Sequence, residues 1–202
     1  MGLTRIISRS FLIGLIVLAT LIAPSVLAQS QQKSIEWSST PLSSHGVKTT
    51  PDTRAFDQLD GIEIEDITAN GQSIIIGEPF SAGDDWLGSL AFRVKNVSGQ
   101  RLVAIQLDLV LPEMTPTIDI PLIYGNPTEK EKGILPGEEV ELKTPGGIYA
   151  WAKGRITETG SLSRISRAQI REMLVSLPND TRWYSGCIKT ANPKNACKVA
   201  TP

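Results

Sequence analysis

LGSLAFRVKNVSGQRLVAIQLDLVL, residues 87–111, is the stretch that decides the fold. Apolar and polar residues alternate in two runs, 90–94 and 103–111, and this period of two is typical of strands that bury one face. Between the runs, NVSGQ at 96–100 has the composition of a turn. The stretch predicts a β-hairpin. Because a single hairpin is only marginally stable in water, we expect it to belong to a larger antiparallel sheet.

Short alternating segments on both sides of this stretch predict further strands. Pro121 lies inside one of them and indicates an edge strand, because proline cannot donate a hydrogen bond to a neighbouring strand. One helical turn is predicted at 167–170, and an apolar segment at 148–152 follows two glycines. No long helical pattern is present, and the all-β class, as a sandwich or barrel, is favoured. The flanking strands are predicted at 62–67, 73–76, 118–124, 140–143, 173–177 and 181–184.

Residues 1–28 are predicted to be a signal peptide. Arg5 and Arg9 precede a short apolar run, and small residues lead to a cleavage site after Ala28. The apolar run is shorter than the roughly 20 residues that a spanning helix needs. We therefore expect a mature chain that begins at Gln29, is secreted or periplasmic, and has no membrane span after cleavage.

The mature chain is predicted to have two parts. Residues 29–58 are rich in Ser, Thr, Gln and Pro, which predicts a disordered tail or linker. Residues 59–202 are predicted to be one β-sandwich domain, since this length supports a single core. Without the signal peptide the chain has 18 basic and 21 acidic side chains, a net charge of −3. This balance gives no reason to expect nucleic acid as a partner.

Cys187 and Cys197 are the only cysteines, and they lie near the end of the chain. In an exported protein this pair predicts a disulfide that closes a C-terminal loop. On the chain-entropy account, an 11-residue ring stabilises the fold by about 3 kcal/mol. A zinc site would need more Cys or His nearby, and the only histidine, His45, lies far away in the tail.

The turn sequences VKNVSGQ and LPGEEV and the closing segment DTRWYSG carry a resemblance. Over about residues 61–191 the chain resembles a loose group of small exported bacterial proteins. The resemblance implies an immunoglobulin-like antiparallel β-sandwich. That group has no assigned activity and implies no catalytic residues.

The residues that enzymes use are present only in unfavourable contexts. His45 lies in the predicted tail, where no fold would orient it for nucleophilic catalysis. Adjacent carboxylates in a strand point to opposite faces, and acids in loops are usually just solvated. Oxygen-rich segments at 57–61 and 83–85 lack the spacing of a known calcium loop. We therefore predict no enzyme, no catalytic residue, no metal and no cofactor. The acids weighed are Asp84, Asp85, Glu138, Glu139, Glu63, Glu65 and Asp66.

Three tryptophans, Trp86, Trp151 and Trp183, allow two interpretations. Exposed together on one sheet, they would stack against sugar rings; buried, they would fill the core, which is the favoured alternative because each covers a large area. The sequence thus predicts a non-catalytic binding or structural module with an unknown protein or cell-envelope partner. The alternative is a carbohydrate-binding module that uses exposed tryptophans.

Overall fold

A computed structural model describes residues 31–38, 53–55 and 59–197. These residues form twelve strands, one α-helix and short 3-10 turns at 86–89, 162–164 and 193–195. The predicted signal peptide, most of the predicted tail and His45 lie outside the described residues. The elements are β1 (Gln31–Trp37), β2 (Thr53–Ala55), β3 (Leu59–Ala69), β4 (Gln72–Ser73), β5 (Phe80–Ala82), β6 (Ala91–Asn96), β7 (Ala104–Leu111), β8 (Ile118–Gly125), β9 (Glu139–Lys143), α1 (Gly146–Thr159), β10 (Arg167–Ser176), β11 (Arg182–Ser185) and β12 (Ile188–Thr190).

The strands form one curled sheet in the order β12-β3-β6-β9-β8-β7-β10-β1-β5. Strand β4 pairs with β3, and β11 lies between β10 and β2. The prediction of a mostly β chain is confirmed, but the sheet is mixed, since β1–β10, β2–β11 and β3–β12 are parallel pairs. Strands β8 and β9 are paired only at Ile123 and Lys143, whereas β7 and β8 are paired over their full length. The sheet therefore has two well-bonded parts that join at one point.

The predicted hairpin is wrong in its pairing. Its two strands exist as β6 and β7, but β6 pairs with β3 and β9, and β7 pairs with β8 and β10. The chain between them is held by the buried Asn96, whose side-chain amide donates to the carbonyls of Gln100 and Ile134. Strands β7, β8 and β9 follow one another, and β6 lies beside β9, which is a Greek-key arrangement. Alternation identified the buried face of each strand and carried no information about its neighbour.

Both parts of the sheet direct their apolar faces into one core. Along β7, Ile105, Leu107, Leu109 and Leu111 have no exposed surface. Trp86 is also fully buried, and its ring meets Phe80 edge to face with the centroids 5.4 Å apart. Strands that lie far apart in the chain therefore pack against one another in a single core.

Helix α1 was not predicted, because its sequence is poor in helix signals. Gly146, Gly147 and Gly154 lower helix propensity, and only Ala152 and Ile156 are buried. The helix also extends past the apolar segment at 148–152, through polar residues, to Thr159. The packing of its narrow apolar side against the sheet stabilises the helix where propensity does not.

The predicted helical turn at 167–170 is strand in the structure. The register of β10 against β7 shifts between Ile170 and Glu172, so one extra residue is inserted at Arg171. Ala168 and Ile170 point inward before this bulge, and Met173 and Val175 point inward after it. The resulting spacing of three between Ile170 and Met173 imitates a helix.

Residues 31–37, inside the segment predicted to be disordered, form strand β1 between β5 and β10. Near the other end of the chain, Cys187 and Cys197 lie at disulfide distance with their Cα atoms 5.6 Å apart, as predicted. Within the described ranges, the structure has no helix that is long and apolar enough to cross a membrane.

Candidate functional site

The exposed side of helix α1 carries the largest exposed aromatic side chain among the described residues. Ala152 and Ile156 face the core, and Tyr149 packs against it one turn earlier. Trp151 lies on the other side of the helix and is 56% exposed. Since one position corresponds to about 100° of rotation, Arg155 lies one turn beyond Trp151 on the same side. The helix therefore presents an indole and a guanidinium together.

The position of α1 is fixed by a polar contact with the turn before β6. The Tyr149 hydroxyl donates to Asp85, and Lys153 Nζ donates to the other carboxylate oxygen at 3.1 Å. Gly88 permits this approach, because a Cβ there would lie 2.8 Å from the Tyr149 ring. Burial raises the pKa of Asp85, but the two donors outweigh it and hold that pKa below the usual value. Burial, together with the pairing to Asp85, raises the pKa of Tyr149, so its hydroxyl stays protonated as a donor.

A groove of about 300 Å³ lies between α1 and the chain that enters β8. Trp151, Arg155 and Thr159 line its helix side, and the segment 114–119 lines the opposite side. A second depression of about 150 Å³ continues past Thr159 toward Arg164. The two share Met114, Thr115 and Thr159, so together they follow α1 toward its C-terminus. An elongated ligand fits this shape better than a compact one.

Strand β8 has an edge beside this groove. In the described part of the chain, its side away from β7 pairs with β9 only at Ile123, so β8 is not the outermost strand that Pro121 predicted, but most of that side has no strand neighbour. Asp119, Pro121 and Ile123 are separated by two positions, so their backbone groups point to the same edge. The first half of β8 thus offers backbone groups next to Thr117, Ile118 and Asp119, which line the groove.

A half-buried charge network lies on the outer face of β7, β8 and β10. The Arg171 guanidinium bridges Asp119 at 2.9 Å and Asp108 at 3.6 Å, and Gln106 donates to Asp108 at 2.8 Å. Burial is the main cause that raises the pKa of Asp108, and the guanidinium and amide oppose it. Asp119 therefore belongs both to this network and to the lining of the groove, which fixes its orientation.

The three tryptophans of the predicted platform are separated in the structure. Trp86 is in the core, where its ring nitrogen donates to the Ile165 carbonyl at 3.2 Å. Trp183 on β11 is partly buried and packs against Gly61. A Cβ at position 61 would lie 3.2 Å from its ring. Only Trp151 stands in the open, on a helix. The three rings therefore do not form one flat surface on a sheet.

Six of the seven acids weighed for catalysis form hydrogen bonds or ion pairs in the structure. Glu138 accepts from the backbone of Leu135 in a turn, and Asp66 accepts from Ser73 at 2.8 Å. Among the residues that the structure describes, no group of three His, Cys, Asp or Glu could hold a metal ion. The calcium candidate at 57–61 lies partly outside those residues. Four more acids of the set form ion pairs, namely Glu63–Lys189, Glu65–Lys95, Glu139–Lys95 and Asp85–Lys153.

Comparison with known proteins finds no matching family model, no matching curated protein and no matching solved structure. The assignment of function therefore depends on the geometry of this chain. The sequence named Trp151 as one candidate of three but missed the groove. A helical assignment of 146–159 would have predicted the exposure of Trp151, because Tyr149, Ala152 and Ile156 share one side and Trp151 lies opposite, but the groove depends on the distant segment 114–119.

Proposed function

We propose that this chain is a secreted or periplasmic, non-catalytic binding module that holds an extended segment of a protein partner against α1. The observation that carries the proposal is the exposure of Trp151 directly beside a groove. Tryptophan and arginine are enriched among the residues that dominate binding energy at protein interfaces. Trp151 and Arg155 supply both on one side of the helix.

The edge of β8 supports an extended partner. A segment that adds to a strand edge gains main-chain hydrogen bonds and places alternate side chains in neighbouring pockets. Asp119 is the edge position nearest the groove, and Pro121 limits how far such pairing can continue, because it lacks an N–H. A short segment of a few residues, with one side chain packed on Trp151, suits this arrangement.

Site-specific photo-crosslinking tests the proposal. We expect benzoylphenylalanine in place of Thr117, which is exposed and lines the groove opposite Trp151, to capture a protein in cells that make this chain. The matched control is the same replacement at Leu135, which is 50% exposed and does not line the groove. A captured protein at position 117 that is absent at position 135 supports the proposal. Identical captures at both positions, or none at 117, would contradict it.

A carbohydrate ligand is the second candidate, and the neighbours of Trp151 favour it. An exposed indole can stack on a sugar ring, while Arg155 and Asp119 beside it offer a donor and an acceptor for hydroxyl groups. Titration with soluble cell-envelope polysaccharides should shift the tryptophan emission of the native chain. The Trp151→Phe variant retains the buried Trp86 and should show no shift. A shift that persists in this variant excludes Trp151 as the sugar site.

We propose further that the domain is an immunoglobulin-like sandwich. With β3, β6, β7, β8, β9, β10 and β11 lettered A to G in chain order, the order in the sheet becomes A-B-E-D-C-F-G. Constant-type immunoglobulin domains divide the same succession into sheets ABED and CFG. Here D pairs mainly with C, and the single D–E pair marks where the layers would part. A crystal structure with two facing layers would support this assignment, and one without them would reject it.

The proposed location outside the cytoplasm is supported by the cysteine pair. Structural disulfides persist in oxidising compartments and are rare in the cytosol. N-terminal sequencing of exported protein tests the proposed cleavage, and a mature chain that begins at Gln29 is expected. A chain that begins at Met1 would contradict it.

A further inference from the structure

The C-terminal turn at 192–197 is connected to the rest of the domain at few points. Before it, β12 pairs with β3. Within the turn the backbone hydrogen bonds are local, for example from the Asn195 amide to the Asn192 carbonyl at 2.9 Å. Among the described residues, the hydrogen bonds that reach from the turn past β12 are all made by Asn195. The other connection is the disulfide between Cys187 and Cys197.

Asn195 supports two separate parts of the fold. It is buried, and its carbonyl accepts from the ring nitrogen of Trp37, at the end of β1, at 2.9 Å. Its side-chain oxygen accepts from the amide of Ile76 at 2.7 Å. Ile76 is buried as well, and the amide of Gly77 beside it donates to the Ile35 carbonyl of β1. Without Asn195, two donors with little access to water lose their acceptors, which destabilises the end of β1 and the turn before β5.

The disulfide ties this turn to a fixed position. Cys187 lies between β11 and β12 and is buried. Its carbonyl accepts from the Leu59 amide at 2.9 Å, and its own amide donates to Ser185 Oγ at 3.0 Å. Cys197 is half-buried and lies two residues past Asn195. The ring that the disulfide closes therefore contains Asn195 and is anchored at its Cys187 end.

The ring determines whether Asn195 stays docked. Ordering the backbone of 192–197 costs entropy at every residue. Each of the two hydrogen bonds that Asn195 accepts contributes little net stability, because it replaces a hydrogen bond to water. The closed ring removes much of the freedom of the turn before it docks. Docking is therefore favoured while the ring is closed and is lost when the ring opens.

We infer that the Cys187–Cys197 disulfide is a redox switch for the contact between Asn195 and the N-terminal strand β1. In the oxidised chain Asn195 is docked. In the reduced chain Trp37 and Ile76 lose this contact while the core stays folded. The closed ring is the resting state in an oxidising compartment. The redox state of two C-terminal cysteines thereby controls the exposure of a tryptophan near the start of the domain.

A dithiol is the reductant that opens the ring. One of its thiolates attacks Cys197 Sγ, because Cys197 is more exposed than Cys187. The S–S bond breaks, and the Cys187 sulfur leaves as a thiolate and takes up a proton. The second thiol of the reductant then attacks the mixed disulfide and releases Cys197 as a thiol. Two electrons pass to the protein, and the reductant becomes a disulfide.

NMR spectroscopy of the isotope-labelled exported chain tests the switch, with dithiothreitol as the dithiol. The signals followed are the ring N–H of Trp37, which Trp37→Phe identifies by its absence, and the amide of Ile76. We expect both to move on reduction and to exchange with water at least about tenfold faster, because each loses its acceptor within the folded protein. The Leu107 amide in β7 should keep its position. Mass spectrometry confirms two free thiols, and reoxidation should restore both signals.

Leu107→Ala is the matched control, because it destabilises the core while the ring stays closed. It should leave the Trp37 and Ile76 signals in place. Cys187→Ser with Cys197→Ser opens the ring without a reagent and should reproduce the spectrum of the reduced chain. Signals that stay in place after reduction would overturn the inference, as would a Leu107 amide that moves with them, since the disulfide would then stabilise the whole domain. A disulfide that resists dithiothreitol until the domain unfolds would overturn it as well.

Discussion

Strand β7 buries five of its eight residues, whereas helix α1 buries two of fourteen, although both contribute to the same core. The strand has neighbours on both edges and apolar contacts on its inner face. The helix touches the core along one narrow line and is tethered through Asp85. The strand is thus built for stability, and the helix keeps most of its surface available for contact with another molecule.

The largest expected effect comes from the strand. Leu107→Ala removes a fully buried side chain at the centre of β7 and should lower the free energy of unfolding by about 3 kcal/mol. Val110→Ala, on the half-buried outer face of the same strand, is the control and should cost no more than about 1 kcal/mol. Urea unfolding measures both. Equal losses would show that β7 does not have one core-facing side.

The second expected effect concerns the loop that supports β1. Cys187→Ser with Cys197→Ser should lower the free energy of unfolding by about 3 kcal/mol, because the unfolded chain gains the entropy of an open ring. Asn195, which contacts Trp37, lies within this ring. Wild-type protein in reducing agent should unfold at the same urea concentration as the variant. A variant as stable as the oxidised wild type would show that the pair adds no stability.

The comparison of β7 with α1 also explains what the sequence could predict. In β7 every second residue is apolar over eight positions, and the structure buries that set. The pairing of β6 with β9 was not predicted, because alternation shows only which face of a strand is buried and not which strand lies beside it. The neighbour of β6 is set by the core and by the buried Asn96. The same limit applies to β10, where the bulge at Arg171 shifts the inward-facing positions from even to odd residue numbers.

The candidate site was harder to predict, because it depends on exposure. Trp86 and Trp151 look alike in the sequence, yet one fills the core and the other lies on the surface. The difference arises from α1, whose three glycines conceal a helix that tertiary contacts stabilise. Strand β1 was missed for a similar reason, since Lys33 belongs to its buried face and lysine is a strong signal for exposure.

A smaller effect of opposite sign is expected in the helix. Gly154 lies in the interior of α1, and a Cβ there would have no atom within 4 Å. Gly154→Ala should therefore raise the free energy of unfolding by about 0.5–1 kcal/mol through helix propensity alone. Gly88→Ala is the matched control and should lower it, because the Tyr149 ring occupies that space. Thermal unfolding of both variants checks the signs, and a gain at Gly88 would contradict the contact.

The smallest expected effect depends on pH and concerns the tether between helix and sheet. The pKa of Asp85 is held below its usual value in the folded protein, since donation by Tyr149 and Lys153 outweighs burial. A lowered pKa means that the carboxylate stabilises the fold at pH values above its unfolded pKa. This stabilisation is lost as the pH falls through the folded value. The side chain is 56% exposed, so the contribution is about 0.5 kcal/mol.

Comparison of the native chain with Asp85→Asn by urea unfolding isolates this contribution. The native chain should be more stable near pH 6, and the difference should shrink as the pH falls below the unfolded pKa of the carboxyl and vanish below the lowered folded pKa. Tyr149→Phe keeps the ring against Gly88 and removes one donor, so it should lose part of the same pH-dependent difference. A difference that stays constant from pH 6 to pH 3 would mean that the helix is held by packing alone. In that case α1, like β7, would be held in place by apolar packing, although few of its residues are buried.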